Sequence, residues 1–265
     1  MASSPSDWFK SLPPVTKAYG TILVITGVGA YIGQLDPSLL YLNRYLVFKK
    51  FQIWRLVTTF CFTAPVSLTL FYDLLMLAWH SVSLEKNTFE NRTVDFVYML
   101  LFGMACMLGV GLLVPSLGLY FLSVPLIFML IYVWARENAD ANINFMGLFQ
   151  YKGFYLPWMM LGLSLVFGGR SPVSGLLGIL VGHIYYFSTV LYPLAGGRNF
   201  LQTPLWVHKL VDKWGVNQVH RQRQFFSPGI AAPRARPGMP AGSQSSDVPP
   251  RSSAFSGRSY RLNRD

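Results

Sequence analysis

The chain has 265 residues, 52% of them hydrophobic and only 12% charged, which excludes an ordinary soluble domain and points to a polytopic membrane protein. Its charge is uneven, because residues 195–265 carry 11 of the 22 basic residues and 3 of the 11 acids, and so +8 of the net +11. Such a tail belongs on the cytoplasmic side of a membrane, and nucleic acid is set aside as a partner because no aromatic-basic binding pattern accompanies the charge.

Residues 1–17 place Trp8, Phe9 and Leu12 ahead of Pro13 and Pro14, with Lys10 and Lys17 between them. That composition predicts a segment lying at the membrane surface. It lacks a basic region leading into an apolar run and a small-residue cleavage site, so no cleavable signal is expected. A first span is predicted over 18–35, stopped by Asp36-Pro37. Residues 38–62 are too polar for a clean span and too apolar for a solvated loop. Tyr41, Tyr45, Phe48, Phe51 and Trp54 recur every three or four residues among Arg44, Lys49, Lys50 and Arg55. The pattern fits helix in the interface, with rings at headgroup depth and basic tips turned outward, and it also fits a merely amphipathic covering helix.

A second span over 64–79 is interrupted by Pro65 and carries Asp73, an acid that should face the bundle or a polar cavity. The polar stretch 81–96 then reads as a link. Its Asn91-Arg92-Thr93 is a formal glycosylation acceptor that a cytoplasmic position would leave unused. Spans three and four are predicted over 96–114 and 117–134, joined by a tight turn at Pro115-Ser116. After them, Phe145, Met146, Leu148, Phe149 and Tyr151 suggest a second interfacial segment. The fifth span, 154–167, gives about 21 Å of helix against about 30 Å of hydrocarbon. A helix that short must thin the bilayer or be shielded by its neighbours.

The sixth span, 173–194, carries Gly175, Gly178 and Gly182 on one helical stripe, directly before His183. Small stripes let helix backbones touch in lipid, so this helix is expected in the middle of the bundle. His183 should face protein or trapped water, either as a hydrogen-bonded packing residue or as a catalytic one. Cys61 and Cys106 lie in or beside apolar segments and read as buried thiols, not as a disulfide framework or metal site. No cofactor motif is present. Past the membrane, Thr203-Pro204 opens a helix with Leu205, Trp206, Val207, Leu210, Val211 and Trp214 mostly on one face.

The chain thus divides into an N-terminal interfacial segment (1–17), a membrane domain (18–194), a basic juxtamembrane segment with an amphipathic helix (195–226), and a tail (227–265) rich in Pro, Gly, Ser and Arg, read as disordered. Phe255 and Leu262 bracket a flexible basic peptide at its end, which suggests docking to a partner.

Serine chemistry needs a base within about 3 Å of the nucleophile. Ser174 is nine positions from His183 on the same helix, about 13 Å away. Ser116, Ser123 and Ser164 could approach from other spans, but none stands in a G-x-S-G turn.

Taken together, seven stretches resemble the Derlin family of rhomboid-like pseudoproteases of the endoplasmic reticulum. They are LPPVTKAYG (12–20), FQIWRLVT (51–58), LEK with F-x-x-R-T-x-D-F (84–96), YVWARE (132–137), YLPW (155–158), GILVGHIYYF (178–187) and GGRNFLQTP (196–204). The resemblance implies an all-α, rhomboid-like bundle of six transmembrane helices with an interfacial first loop and a disordered tail. His183 stands in the rhomboid motif G-x-x-x-[AG]-H, while the fourth span lacks the G-x-S-G serine, which implies a protein without catalytic activity. By resemblance, Trp54 and Arg55 belong to a luminal loop that thins and distorts the membrane, and both termini are cytosolic.

The implied role is to help move misfolded proteins out of the endoplasmic reticulum for ubiquitination and degradation. A membrane ubiquitin ligase complex and the valosin-containing AAA+ ATPase are the implied partners, and homo-oligomerisation stays open. Asp73 and His183, with the Gly175, Gly178 and Gly182 stripe, would line or pack around a hydrated cavity. The family's ATPase-docking peptide, F-x-G-x-G-x-x-L, is matched by Phe255, Gly257 and Leu262, with Ser259 in place of its second glycine. A residual intramembrane serine protease and an adaptor that only recruits the ATPase are the alternatives.

Overall fold

A computed structural model of the chain describes residues 5–145, 149–168, 171–196 and 201–213. The chain separates into one unit, Met1–Phe226, and a second, Ser227–Asp265, which lies outside the described residues together with Phe255, Gly257, Leu262 and Trp214.

The short helix α1 (Pro5–Ser11) leads to Pro13, whose extended backbone starts α2 (Pro14–Ile32) with a proline in its first turn. Proline suits that position because its missing N–H would have no helical partner there. Gly33, at φ 80°, closes α2 in a left-handed cap. The first loop carries two short helices, α3 (Arg44–Lys49) and α4 (Arg55–Thr58). Next comes α5 (Leu68–Met76), which runs on without a break through two π-helical turns, Leu77–Ser81 and Leu84–Thr88. Its second half occupies what the sequence reads as a polar link. The polar residues are tolerated there because the bundle satisfies them, as described below.

Helix α6 (Thr93–Leu113) is followed by a 3-10 turn at Pro115–Leu117 and by Gly118 in the left-handed region, so that α7 (Ser123–Glu137) begins six residues later than the apolar pattern indicates. Helices α8 (Leu156–Gly168) and α9 (Pro172–Tyr186) complete the bundle, α9 continuing through a π turn at Phe187–Leu191 to Leu194. Among the described residues, three helices are long and apolar enough to cross a membrane: Pro14–Ile32, Thr93–Leu113 and Pro172–Leu194.

Two expectations are corrected. The structure is not all-α: β1 (Asn142–Phe145) pairs antiparallel with β2 (Phe149–Lys152), in a register that sets Asn142 opposite Lys152 and Phe145 opposite Phe149. The alternation Asn-Ile-Asn-Phe has the period of a strand, and Gly153 N–H closes the hairpin onto the Ala141 carbonyl at 2.8 Å. The middle of the bundle, moreover, belongs to α7. Eleven of its fifteen residues are buried, against seven of fifteen in α9.

The glycine stripe explains how α9 reaches that centre. A methyl group on Gly178 would fall inside the van der Waals shell of the Pro125 carbonyl and 2.6 Å from Phe128 Cβ. One on Gly182 would meet the Tyr132 ring at 3.0 Å, and one on Gly175 would meet Leu161 at 2.5 Å. Helix α9 therefore rests its backbone on α7, the contact that small residues permit in lipid. Gly178→Ala should lower stability by roughly 2 kcal/mol through overpacking. Gly162→Ala, which meets no atom within 4 Å, should not change it, and thermal denaturation in detergent, followed by a thiol-reactive dye, compares the two.

Candidate functional site

Polar groups converge at three places. In the first loop, Asp36 caps the turn Pro37–Leu39, accepting from Ser38 Oγ at 2.6 Å and from its N–H at 2.8 Å, and these bonds hold its carboxyl below the usual range. Asn43 caps α3 through the Leu46 N–H. Arg55 is 4% exposed and turned inward. Its Nε donates to Gln52 Oε1 at 2.7 Å, one terminal nitrogen donates to the carbonyls of Ser38 (2.8 Å) and Tyr41 (3.0 Å), and the guanidinium lies over the Tyr41 ring.

Arg55 therefore departs from the expected outward basic tip, because carbonyls that the loop leaves without partners offer it better hydrogen bonds than headgroups do. Arg44, Lys49 and Lys50 remain exposed. Trp54 points the other way, 55% exposed beside Phe51 (76%) and Val57 (67%), so one residue anchors the loop and the next presents an apolar surface. Phe51 adopts φ 51°, a left-handed conformation that a bulky residue avoids and that costs of the order of 1–3 kcal/mol.

The second place joins α2 to α5. Glu85, buried, accepts from the Val15 N–H (3.1 Å), the Thr16 N–H (2.9 Å) and Thr16 Oγ1 (2.7 Å), while Thr16 Oγ1 also lies 2.7 Å from Ser81 Oγ. A carboxylate there satisfies two first-turn amides of α2 and meets the positive end of its dipole. Close by, Ser83 Oγ accepts from Trp134 Nε1 at 2.9 Å, and His80 packs edge-on to the Trp134 ring, tying α5 to α7. Sequence reading assigned none of these residues a role. The signal that could have found them is Glu85 itself, an acid one helical turn beyond Ser81.

The third place is His183, whose Nδ1 is 2.7 Å from Tyr132 Oη. Its ring is exposed on the outer face of α9. Asp73 is buried on α5 whereas His183 is exposed on α9, so the two do not share one environment. The serines are committed elsewhere: Ser123 Oγ donates to the Phe62 carbonyl at 2.6 Å and Ser164 Oγ to the Leu161 carbonyl at 2.8 Å. Among the described residues no serine bonds to His183. Arg136 of α7 lies over the Phe154 ring, in the 3-10 turn that leads into α8, and over the Tyr186 ring of α9, and so ties the start of α8 to α7 and α9. At the C-terminal end of the described chain, the helix Leu205–Lys213 buries Val207 and Val211 against Val94 and Val97 of α6, and the Thr203 hydroxyl donates to Asp95.

Residues 12–205 match the model of the Der1-like family. The chain belongs to that family. It is 48% identical to Derlin-1.1 of Zea mays, 46% to Derlin-1 of Oryza sativa subsp. japonica and 47% to Derlin-1 of Arabidopsis thaliana, in each case over 98% of this chain and 99% of the relative. Derlins are multi-pass membrane proteins of endoplasmic-reticulum-associated degradation and non-catalytic, rhomboid-like pseudoproteases. In this Derlin the partner of His183 is the Tyr132 hydroxyl and not a serine.

The opposed roles of Arg55 and Trp54 are separable in this Derlin. Arg55→Lys cannot reproduce the planar three-bond arrangement and should destabilise the loop by roughly 3 kcal/mol, so that Cys61 reacts with a thiol probe at lower temperature. Trp54→Ala should leave that temperature unchanged. Equal reactivity of Arg55→Lys and the parent would show that the loop is not pinned there.

Proposed function

We propose that this Derlin is a non-enzymatic retrotranslocation factor of the endoplasmic reticulum membrane, with six spans and both termini in the cytosol. It binds misfolded proteins and lowers the barrier to their passage by thinning the bilayer around itself. The observation that carries this reading is helix length. With 13 residues, α8 reaches about 20 Å against about 30 Å of hydrocarbon, and it faces outward through Trp158, Leu165 and Val166, whereas α7 is shielded by its neighbours. A polypeptide crossing intact hydrocarbon meets several kcal/mol for each unsatisfied backbone group, and every ångström of thinning shortens that path.

The first loop fits the same purpose. Held by Arg55, it presents Phe48, Phe51, Trp54 and Val57 as one exposed apolar surface, which inserts into the luminal leaflet. Asp73 and His183 provide polar groups at membrane depth, and Gly175, Gly178 and Gly182 keep α9, which carries His183, packed on α7. The cytosolic tail hands the client onward through Phe255, Gly257 and Leu262 to the valosin-containing AAA+ ATPase, with a membrane ubiquitin ligase complex alongside. The pulling force comes from that ATPase.

Two measurements test this. In a chase of one misfolded luminal glycoprotein, Trp54→Ala at normal protein level should extend the substrate's lifetime severalfold, with intact substrate retained in the reticulum. An unchanged lifetime would reduce the loop to a structural element, and a substrate fragment lost on His183→Ala would restore the protease alternative. Separately, Phe255→Ala with Leu262→Ala should abolish co-purification of the ATPase without altering membrane insertion. Unchanged co-purification would remove the docking peptide.

A further inference from the structure

An open groove of about 500 Å³ runs along the outer face of α5, between that helix and α1. Its floor is a stripe at helical spacings of three and four: Phe71, Leu74, Leu75 and Ala78, continuing past Trp79 to Val82. Beyond Val82 the character changes within one turn to Ser83, Lys86 and Asn87. Trp8 and Ser11 of α1, with Leu12 just after it, form the opposite wall at that polar end. Lys17 Nζ sits 4.4 Å from the centre of the Phe9 ring and so holds α1 in place over the groove.

We propose that this groove binds one anionic glycerophospholipid. From Phe71 to Val82 the stripe rises about 16 Å, enough for most of an extended acyl chain, and it is apolar throughout. The headgroup then meets the ammonium of Lys86 and the second N–H of the Asn87 amide, whose other N–H donates to Ser83 Oγ at 3.2 Å, while the Ser11 hydroxyl opposite donates to the Trp8 carbonyl at 2.7 Å. Glu85, the acid beside Lys86 in sequence, is withdrawn: its carboxylate is buried under the first turn of α2, so the charge facing the headgroup is positive. Trp79, 65% exposed, and Trp8, 53% exposed, stand at the sides of the groove, where indole rings favour the boundary between chain and headgroup. A zwitterionic headgroup offers Lys86 its phosphate but brings a trimethylammonium beside it, whereas an anionic headgroup adds net attraction, and a transmembrane helix laid in the groove would bring no anion to its polar end. The bound lipid becomes the third wall that fixes α1 against the bundle. The inference rests on α5 lying in the membrane and not on client transport, so its failure would leave the retrotranslocation reading in place.

The test uses the full-length protein in nanodiscs of unlabelled phosphatidylcholine, titrated with either brominated phosphatidylserine or brominated phosphatidylcholine. Tryptophan quenching attributable to Trp8 and Trp79 is isolated by comparison with the Trp8→Phe, Trp79→Phe double variant. Quenching should saturate, at a mole fraction at least about fivefold lower for the serine lipid, in line with one lysine at a membrane surface. Lys86→Gln should erase that preference while preserving quenching. Ala78→Phe, which fills the floor, should remove the saturable phase for both lipids. Unsaturable quenching that is equal for the two headgroups would overturn the proposal, as would a crosslink between Ala78→Cys positions of two copies, which would assign the groove to a second chain.

Discussion

Surrounded by lipid, helices gain nothing by hiding apolar surface from one another, and a bundle there must be held by close packing and by polar groups that have nowhere else to bond. In this Derlin the packing is concentrated where Gly178 lets α9 lie on the backbone of α7 at Pro125 and Phe128. Because α7 is nearly all buried, the other elements take their places around it: α8 through the Arg136 clamp, α5 through Trp134 and Ser83, and the first loop through Ser123. A helix with only 15 residues can serve as the centre because its neighbours, not lipid, cover its ends.

The loop shows how a charge can be structural at membrane depth. Arg55 meets backbone carbonyls and a side-chain amide, with an aromatic ring beneath its guanidinium, so no carboxylate is needed to neutralise it locally. This arrangement also offsets the strained backbone at Phe51 and frees Trp54 to face outward. A buried arginine and an exposed tryptophan in adjacent positions let the loop be pinned on one side and apolar on the other.

Much of the fold was legible in hydropathy: α2, α6 and α9 stand close to where apolar runs of sufficient length predict them. What was not legible depended on partners distant in the chain. Glu85, Ser81 and Ser83 look like the polar residues of a link until Thr16 and Trp134 are seen to satisfy them, and only then does α5 extend to Thr88. Arg55 cannot be told from a snorkelling arginine without the carbonyls it meets. The hairpin was misread because its aromatic residues outweighed the alternation that marks a strand. In the candidate site, the glycine stripe announced a close approach by spacing alone, whereas the tyrosine facing His183 is 51 residues away and no local pattern connects them.

The cap on α2 carries a consequence for biogenesis. Val15 and Glu85 are separated by 70 positions, so the leading amides of the first helix emerge from the ribosome long before their acceptor has been synthesised. Helix α2 must therefore leave the translocon in a provisional register, its first turn served by water or headgroups, and settle only when the far end of α5 arrives. The first two hydrophobic helices mature as a pair, and quality control acting on nascent chains would see the first of them as unfinished until the second is in place.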